Sequence, residues 1–160
     1  AAAQISISGL VELGRILDLA LRRDFGIARP RIAMAGLNPH AGEGGSIGRE
    51  EIEILNPAAA VLRAEGITIT DAQPADSLFH AQARALYDLV LAMTHDQGLI
   101  PLKTLHFWDG VNVTLGLPIV RTSPDHGTAF AIAGQGIARP ESLIAALHLA
   151  ASIAVRRAAA

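Results

Sequence analysis

Three short strand-like runs, Ile32-Ala33-Met34-Ala35, Ile67 to Thr70 and Leu89-Val90-Leu91-Ala92-Met93, the first and last of them wholly apolar, alternate with stretches of helical spacing, and this alternation limits the fold more than any other feature. Runs of four or five residues bounded by Gly and Pro read as strands, and apolar ones without polar alternation read as buried. From Gly9 to Phe25 the residues Leu10, Leu13, Leu17 and Leu21 mark an amphipathic helix that Gly26 ends. Asn56 and Pro57 suit the N-cap and first residue of a helix holding Leu62, with Gly66 beyond its end. Helical spacing resumes around Ala81 to Leu86. Val111 to Leu115 alternates, Ile119 to Thr122 is a further short strand, and a helix follows Pro140. Its expected apolar stripe is Leu143, Leu147, Ala150 and Ala154, with Arg156 and Arg157 placed to suit the helix dipole.

Hydrophobic residues make up 51% of the 160 and aromatics only 4%, so Ala, Leu, Ile and Val must build the core. That composition agrees with small-residue helices packed on buried strands, an α/β class. A net charge of -2 gives no general attraction to nucleic acid or anionic lipid, and no local basic patch compensates. With no cysteine the chain has no disulfide, no thiolate metal ligand and no cysteine nucleophile, which is compatible with a cytoplasmic location. A soluble protein without nucleic-acid or membrane partners is expected. The chain starts without Met and is read as part of a longer protein.

The chemistry lies where the apolar runs end. The first run leads into Asn38-Pro39-His40-Ala41-Gly42-Glu43-Gly44-Gly45, and the third into Thr94-His95-Asp96. Open α/β sheets bind ligands outside the carboxyl ends of their strands. The glycines allow positive φ and close backbone approach, although glycine clusters are also ordinary turns. His40 and His95 could share a divalent cation, while each read alone is a hydrogen-bonded loop histidine; a catalytic site needs about three protein ligands, and two is one short. Asp76 and Asp96 could ligate the same ion or orient the imidazoles, or could cap loops. Lys103 could meet an anionic substrate or carry a proton. Asn112 and Arg121 lie on the short strands, where the guanidinium needs an anionic partner, either a substrate group or an internal carboxylate.

The string Gly36 to Gly45 with Gly48, Glu50 and Glu51 closely resembles the 4-hydroxythreonine-4-phosphate dehydrogenase family. Further blocks agree in order: Pro74-Ala75-Asp76, His95-Asp96-Gln97-Gly98, Lys103, Val111-Asn112, Leu115 to Pro118, Arg121-Thr122-Ser123 and Asp125 to Ala129. The resemblance covers nearly the whole chain and implies the C-terminal half of a two-domain enzyme with an isocitrate/isopropylmalate dehydrogenase-like fold, a three-layer αβα fragment. It divides the chain into residues 1–104, with the metal and substrate loops and a dimerisation region, and residues 105–160, a return segment with substrate and adenosine contacts.

By position the resemblance implies that His40 and His95 ligate a divalent metal (Zn, Mg, Mn or Co), and that Lys103, Asn112 and Arg121 bind substrate. Lys103 and Asp96 are the candidate catalytic residues. The segment His126 to Pro140 resembles the adenosine loop of isopropylmalate and isocitrate dehydrogenases. It implies that His126, Gly127, Thr128, Ala129, Gly134, Gly136 and Ala138 approach NAD, with NADP as an alternative. A third metal histidine would come from an N-terminal half or a partner subunit, in a homodimer with shared active sites. Thr94, Ala131 and Arg139 stand where the family commonly has other residues, which places the chain nearer a divergent branch.

The implied reaction is oxidation of a phosphorylated hydroxy acid of the 4-hydroxythreonine 4-phosphate type, followed by decarboxylation, in pyridoxal phosphate biosynthesis or a related catabolic pathway. Alternatives are a noncatalytic fragment or interaction domain, and a relative acting on threonate or erythronate 4-phosphate or on aromatic cis-dihydrodiols.

Overall fold

A computed structural model describes residues 4–159. The Leu10–Leu21 stripe forms α1 (Ile7–Arg23), begun by Ser6, whose side chain accepts a hydrogen bond from Gly9 N. Three strands follow, β1 (Arg31–Ala35), β2 (Thr68–Gln73) and β3 (Leu89–Leu91), in a parallel sheet of order β2-β1-β3. The two wholly apolar runs form β1 and β3, although β3 is shorter than its run because Ala92 and Met93 already turn toward the next element.

β1 is central, and its alternation sorts the core. Ile32 and Met34 face α1 and α2 (Asn56–Ala64), packing with Leu17, Leu21, Leu55, Leu62 and Leu91. Ala33 and Ala35 face the opposite side, against Leu78 and the partly buried Phe79 and Tyr87. Burying each large aliphatic chain stabilises by about 1.5–3 kcal/mol, so the first face carries most of the cohesion. The second face is covered thinly, by a short turn at Ala75–Ser77 and the four-residue α3 (Ala81–Arg84). Gly14 lets α1 approach α2 closely, since a Cβ there would collide with the Leu62 side chain.

Two local readings change. Asn56 does not cap α2: a π-helical turn over Glu51–Leu55 runs straight into it, and the Asn56 side chain instead accepts a hydrogen bond from Ala72 N on β2 at 2.8 Å. His95 does not sit in a loop. It opens α4 (His95–Leu105), which sequence reading missed because Gly98 and Pro101 interrupt any helical pattern.

β4 (Val111–Thr114) and β5 (Arg121–Pro124) form an antiparallel ribbon, with the second strand two residues later than its apolar residues suggest. The long C-terminal helix, α5 (Glu141–Ala159), lies across it. The side it buries is Ser142, Ala146 and Ile153, whereas Leu143 and Leu147 of the expected stripe are exposed. By length and composition α5 is apolar enough to cross a bilayer, yet here it is docked on the ribbon. Arg157 serves as more than a dipole partner: its guanidinium donates to both carboxylate oxygens of the fully buried Asp24, at 2.8 and 2.7 Å, and to Leu117 O. Arg23 reaches the same carboxylate, and together the two arginines hold it well below the ordinary carboxyl range. Asp24 thereby fastens α5 to the end of α1.

Candidate active site at the strand ends

In the parallel order β2-β1-β3 the carboxyl ends of all three strands lie along one edge of the sheet, where open α/β sheets bind ligands. The loop after β1 carries His40, the turn after β2 carries Asp76, and the helix after β3 opens with His95.

The His40 loop has an uncommon backbone. His40, Ala41, Gly42, Glu43 and Gly44 all take left-handed dihedrals, with φ of 54°, 51°, 80°, 43° and 65°. For each of the three non-glycine residues this costs about 1–2 kcal/mol. A buried acidic cradle holds the loop in place. Glu51, 2% exposed, accepts from Asn38 N at 2.8 Å and from Asn38 Nδ2 at 2.9 Å. Asn38 Nδ2 also donates to Glu50 at 2.7 Å, which holds the Glu50 carboxyl below its ordinary value. A Cβ on Gly42 would stand 2.7 Å from both Glu51 Oε2 and Gly48 O, so glycine is required there for space as well as for φ.

His95 is presented differently. Thr94 and Gln97 form a capping box at the start of α4, with Gln97 Oε1 accepting from Met93 N and Thr94 N at 2.9 and 3.1 Å. Gln97 Nε2 donates to Gly36 O at 2.7 Å, tying the start of α4 to the start of the His40 loop. The same glutamine therefore caps one histidine's helix and anchors the other histidine's loop. Both imidazoles have a carboxylate beside Nδ1: His40 has Glu43 at 3.2 Å and His95 has Asp96 at 3.0 Å. A carboxylate on one ring nitrogen orients the imidazole and leaves the other for a ligand. Both rings are largely exposed, and among the described residues no three His, Asp or Glu side chains come together in a metal-holding cluster. The donor chemistry suits a borderline divalent ion, and the described residues provide two imidazoles of the roughly three protein ligands such a site needs. Next to His95, Asp76, Phe79, Thr94, Asp96 and Ile100 help line a groove of about 540 Å³.

On the ribbon, Asn112 and Arg121 share a face. Arg121 donates to Thr114 Oγ1 at 2.9 Å and lies 3.5 Å from Asn112 Oδ1. Among the described residues it pairs with no carboxylate, which leaves an exposed guanidinium open to an anion. Lys103, about 12 Å along α4 from His95 at helical rise, reaches over to Asp125 at the end of β5.

The segment after Asp125 is an exposed loop with Ala129, Gly134 and Gly136 at positive φ. His126, Gly127, Ala129 and Ala138 help line a cleft of about 560 Å³, while Thr128, Gly134 and Gly136 shape the loop without lining it. Its other wall was missed from sequence: Phe107 and Trp108 stand edge to face at 4.9 Å, and the Arg139 guanidinium lies 3.9 Å from the Trp108 ring centre. The available signal was that the chain's single Trp adjoins a Phe in a sequence poor in aromatics.

Residues 1–150 match the family model for the pyridoxal phosphate biosynthetic protein PdxA. The chain belongs to the PdxA family. It is 74% identical over 144 residues to a 4-hydroxythreonine-4-phosphate dehydrogenase of Maricaulis maris, covering 90% of this chain and 42% of the relative. Against the same enzyme of Caulobacter vibrioides it is 62% identical over 157 residues, 98% of this chain and 47% of the relative. The crystal structure of the Klebsiella pneumoniae 4-hydroxythreonine-4-phosphate dehydrogenase superposes with a TM-score of 0.80 at 47% identity, covering 97% of this chain and 46% of that one. A terephthalate 1,2-cis-dihydrodiol dehydrogenase of Burkholderia xenovorans also matches, with a TM-score of 0.74 at 36% identity, covering 94% of this chain and 48% of that one. The chain thus spans about half the length of the family relatives it matches. The mixed α/β architecture with its parallel sheet is the family's own.

Proposed function

We propose that this chain supplies one part of the active site of a metal- and NAD-dependent dehydrogenase that oxidises, and then decarboxylates, a phosphorylated hydroxy acid of the 4-hydroxythreonine 4-phosphate type in pyridoxal phosphate synthesis. The observation that carries the reading is the tie between the two histidine elements, in which Gln97 of the His95 helix holds Gly36 of the His40 loop at the ends of adjacent strands. His40 and His95 would hold the cation, each oriented by its carboxylate neighbour. When bound, the cation supplies Lewis-acid polarisation of the substrate alcohol and NAD supplies the hydride acceptor. Arg121 and Asn112 fix the anionic end of the substrate, Lys103 carries the proton that replaces the departing carboxylate, and residues 126–138 hold the adenosine part of NAD. The remaining ligand comes from the rest of the protein or from a partner subunit of a homodimer.

In the full-length gene product, His40→Ala or His95→Ala should lower metal-dependent NADH formation by about 100-fold or more, since even outer-shell changes at metal sites cost 10–100-fold. Turnover retained by both variants would overturn the reading. Its likeness to the dihydrodiol dehydrogenase makes a terephthalate cis-dihydrodiol the informative second substrate. Oxidation of that diol, without activity on 4-hydroxythreonine 4-phosphate, would redirect the substrate assignment.

A further inference from the structure

We infer that Asp125 is a positioning residue for Lys103, an inference that rests on the proposed role of Lys103. The Lys103 ammonium stands 2.9 Å from Asp125 Oδ2. Its aligned N–H goes to the Asp125 carbonyl oxygen, so one residue engages the ammonium through both main chain and side chain. An ammonium has three donors, and this arrangement leaves one unclaimed by Asp125 for a substrate oxygen. Oδ2 is sealed from solvent and makes no aligned hydrogen bond among the described residues, which makes Lys103 its compensating partner.

Asp125 is itself locked in place. Its N–H donates to Ser142 Oγ at 3.2 Å and lies 3.3 Å from Gly110 O, while Ser142 Oγ donates to Gly110 O at 2.5 Å. Ser142 is only 5% exposed, so the support is a buried polar junction where the ribbon, α4 and the start of α5 meet. Without this anchor Lys103 is a flexible four-carbon stem in the last turn of a helix interrupted by Pro101. The junction lies one residue before His126, which places the held ammonium beside the base of the 126–139 loop.

The test is steady-state kinetics on the full-length enzyme with Asp125→Asn, Asp125→Glu, Lys103→Met and the Lys103→Met/Asp125→Asn double variant. Asp125→Asn keeps the main-chain contacts and removes the charge. Its kcat should fall about 100-fold, the loss typical of misplacing a reacting group by about 1 Å. The KM for the hydroxy acid should rise and the KM for NAD should stay within twofold. Because Asp125 acts through Lys103, the double variant should be no slower than Lys103→Met alone. A wild-type kcat in Asp125→Asn, or losses that multiply in the double variant, would overturn the inference. So would a rise confined to the NAD KM, which is what an anchor for the loop alone would produce. Should Asp125→Asn not fold, Asp125→Glu decides: a kcat at least tenfold lower supports the inference and an unchanged one overturns it. Full turnover by Lys103→Met would instead sink the proposed role of Lys103, and the two failures are thereby distinguished.

Discussion

The β2-β1-β3 unit and the β4-β5 ribbon with α5 bring functional side chains to the surface by opposite means. In the first, a core closed around Ile32, Met34, Leu55 and Leu62 surrounds the strand ends, and the buried Glu51 holds five successive left-handed residues in place. In the second, Leu143, Leu147 and Val155 of α5 stay exposed, and the candidate nucleotide loop is supported by turns and an aromatic wall. The first unit is organised by burial and carries the backbone strain. The second depends on a few polar attachments, among them the Asp24–Arg157 pair and the Asp125–Ser142 junction. Strain needs a rigid surround, so the histidine loop belongs to the part with the better core.

Asp24→Ala should break this relation most severely. It removes a carboxylate that is fully buried and leaves Arg157, 16% exposed, without its counter-charge. Breaking a buried pair in this way costs about 3–5 kcal/mol, and urea unfolding should show it. The same pair sets an acid limit. The folded-state carboxyl lies below its unfolded value, so its contribution is complete above an ordinary Asp pKa of about 4 and disappears as pH falls below that. Followed by circular dichroism, the loss of stability on acidification should be weaker in Asp24→Ala than in the wild type, because the variant lacks the carboxyl whose protonation breaks the pair.

Glu51→Gln sharpens the comparison from the other unit. It keeps the size of the side chain but weakens the two hydrogen bonds from Asn38 by removing the charge, a loss of about 1.5–3 kcal/mol. Amide hydrogen exchange should rise across residues 38–45 and stay unchanged across 126–139. Equal loosening of both loops would contradict a local cradle.

The smallest effect belongs to Arg139→Ala. Loss of the guanidinium over Trp108 at this largely exposed site should leave overall stability nearly unchanged. Since Trp108 is the chain's single Trp, its fluorescence should shift without a change in overall unfolding. An unchanged spectrum would show that the stack is not held in solution.

Much of this is legible in the amino-acid sequence. The short apolar runs located β1 and β3, the Leu10–Leu21 spacing located α1, and the histidine strings pointed to the family that the comparisons established. α4 was invisible because Gly98 and Pro101 break its pattern, and its stability comes from the cap at Thr94 and Gln97 and the tether to Gly36. The buried side of α5 was misjudged because its contact with the ribbon uses Ser142 and Ala146, small residues that carry little hydrophobic signal.

The sequence by itself determined where the sheet strands lie, that an imidazole follows the first and the last of them, and which family the chain resembles, because each follows from residues adjacent in the chain. Only the tertiary structure decided that Glu51 cradles the His40 loop, that Gln97 joins it to the His95 helix, that Asp24 receives Arg157, and that Lys103 meets Asp125. Those partners lie between 13 and 133 residues apart in the chain, and their pairing depends on which polar groups folding buries together.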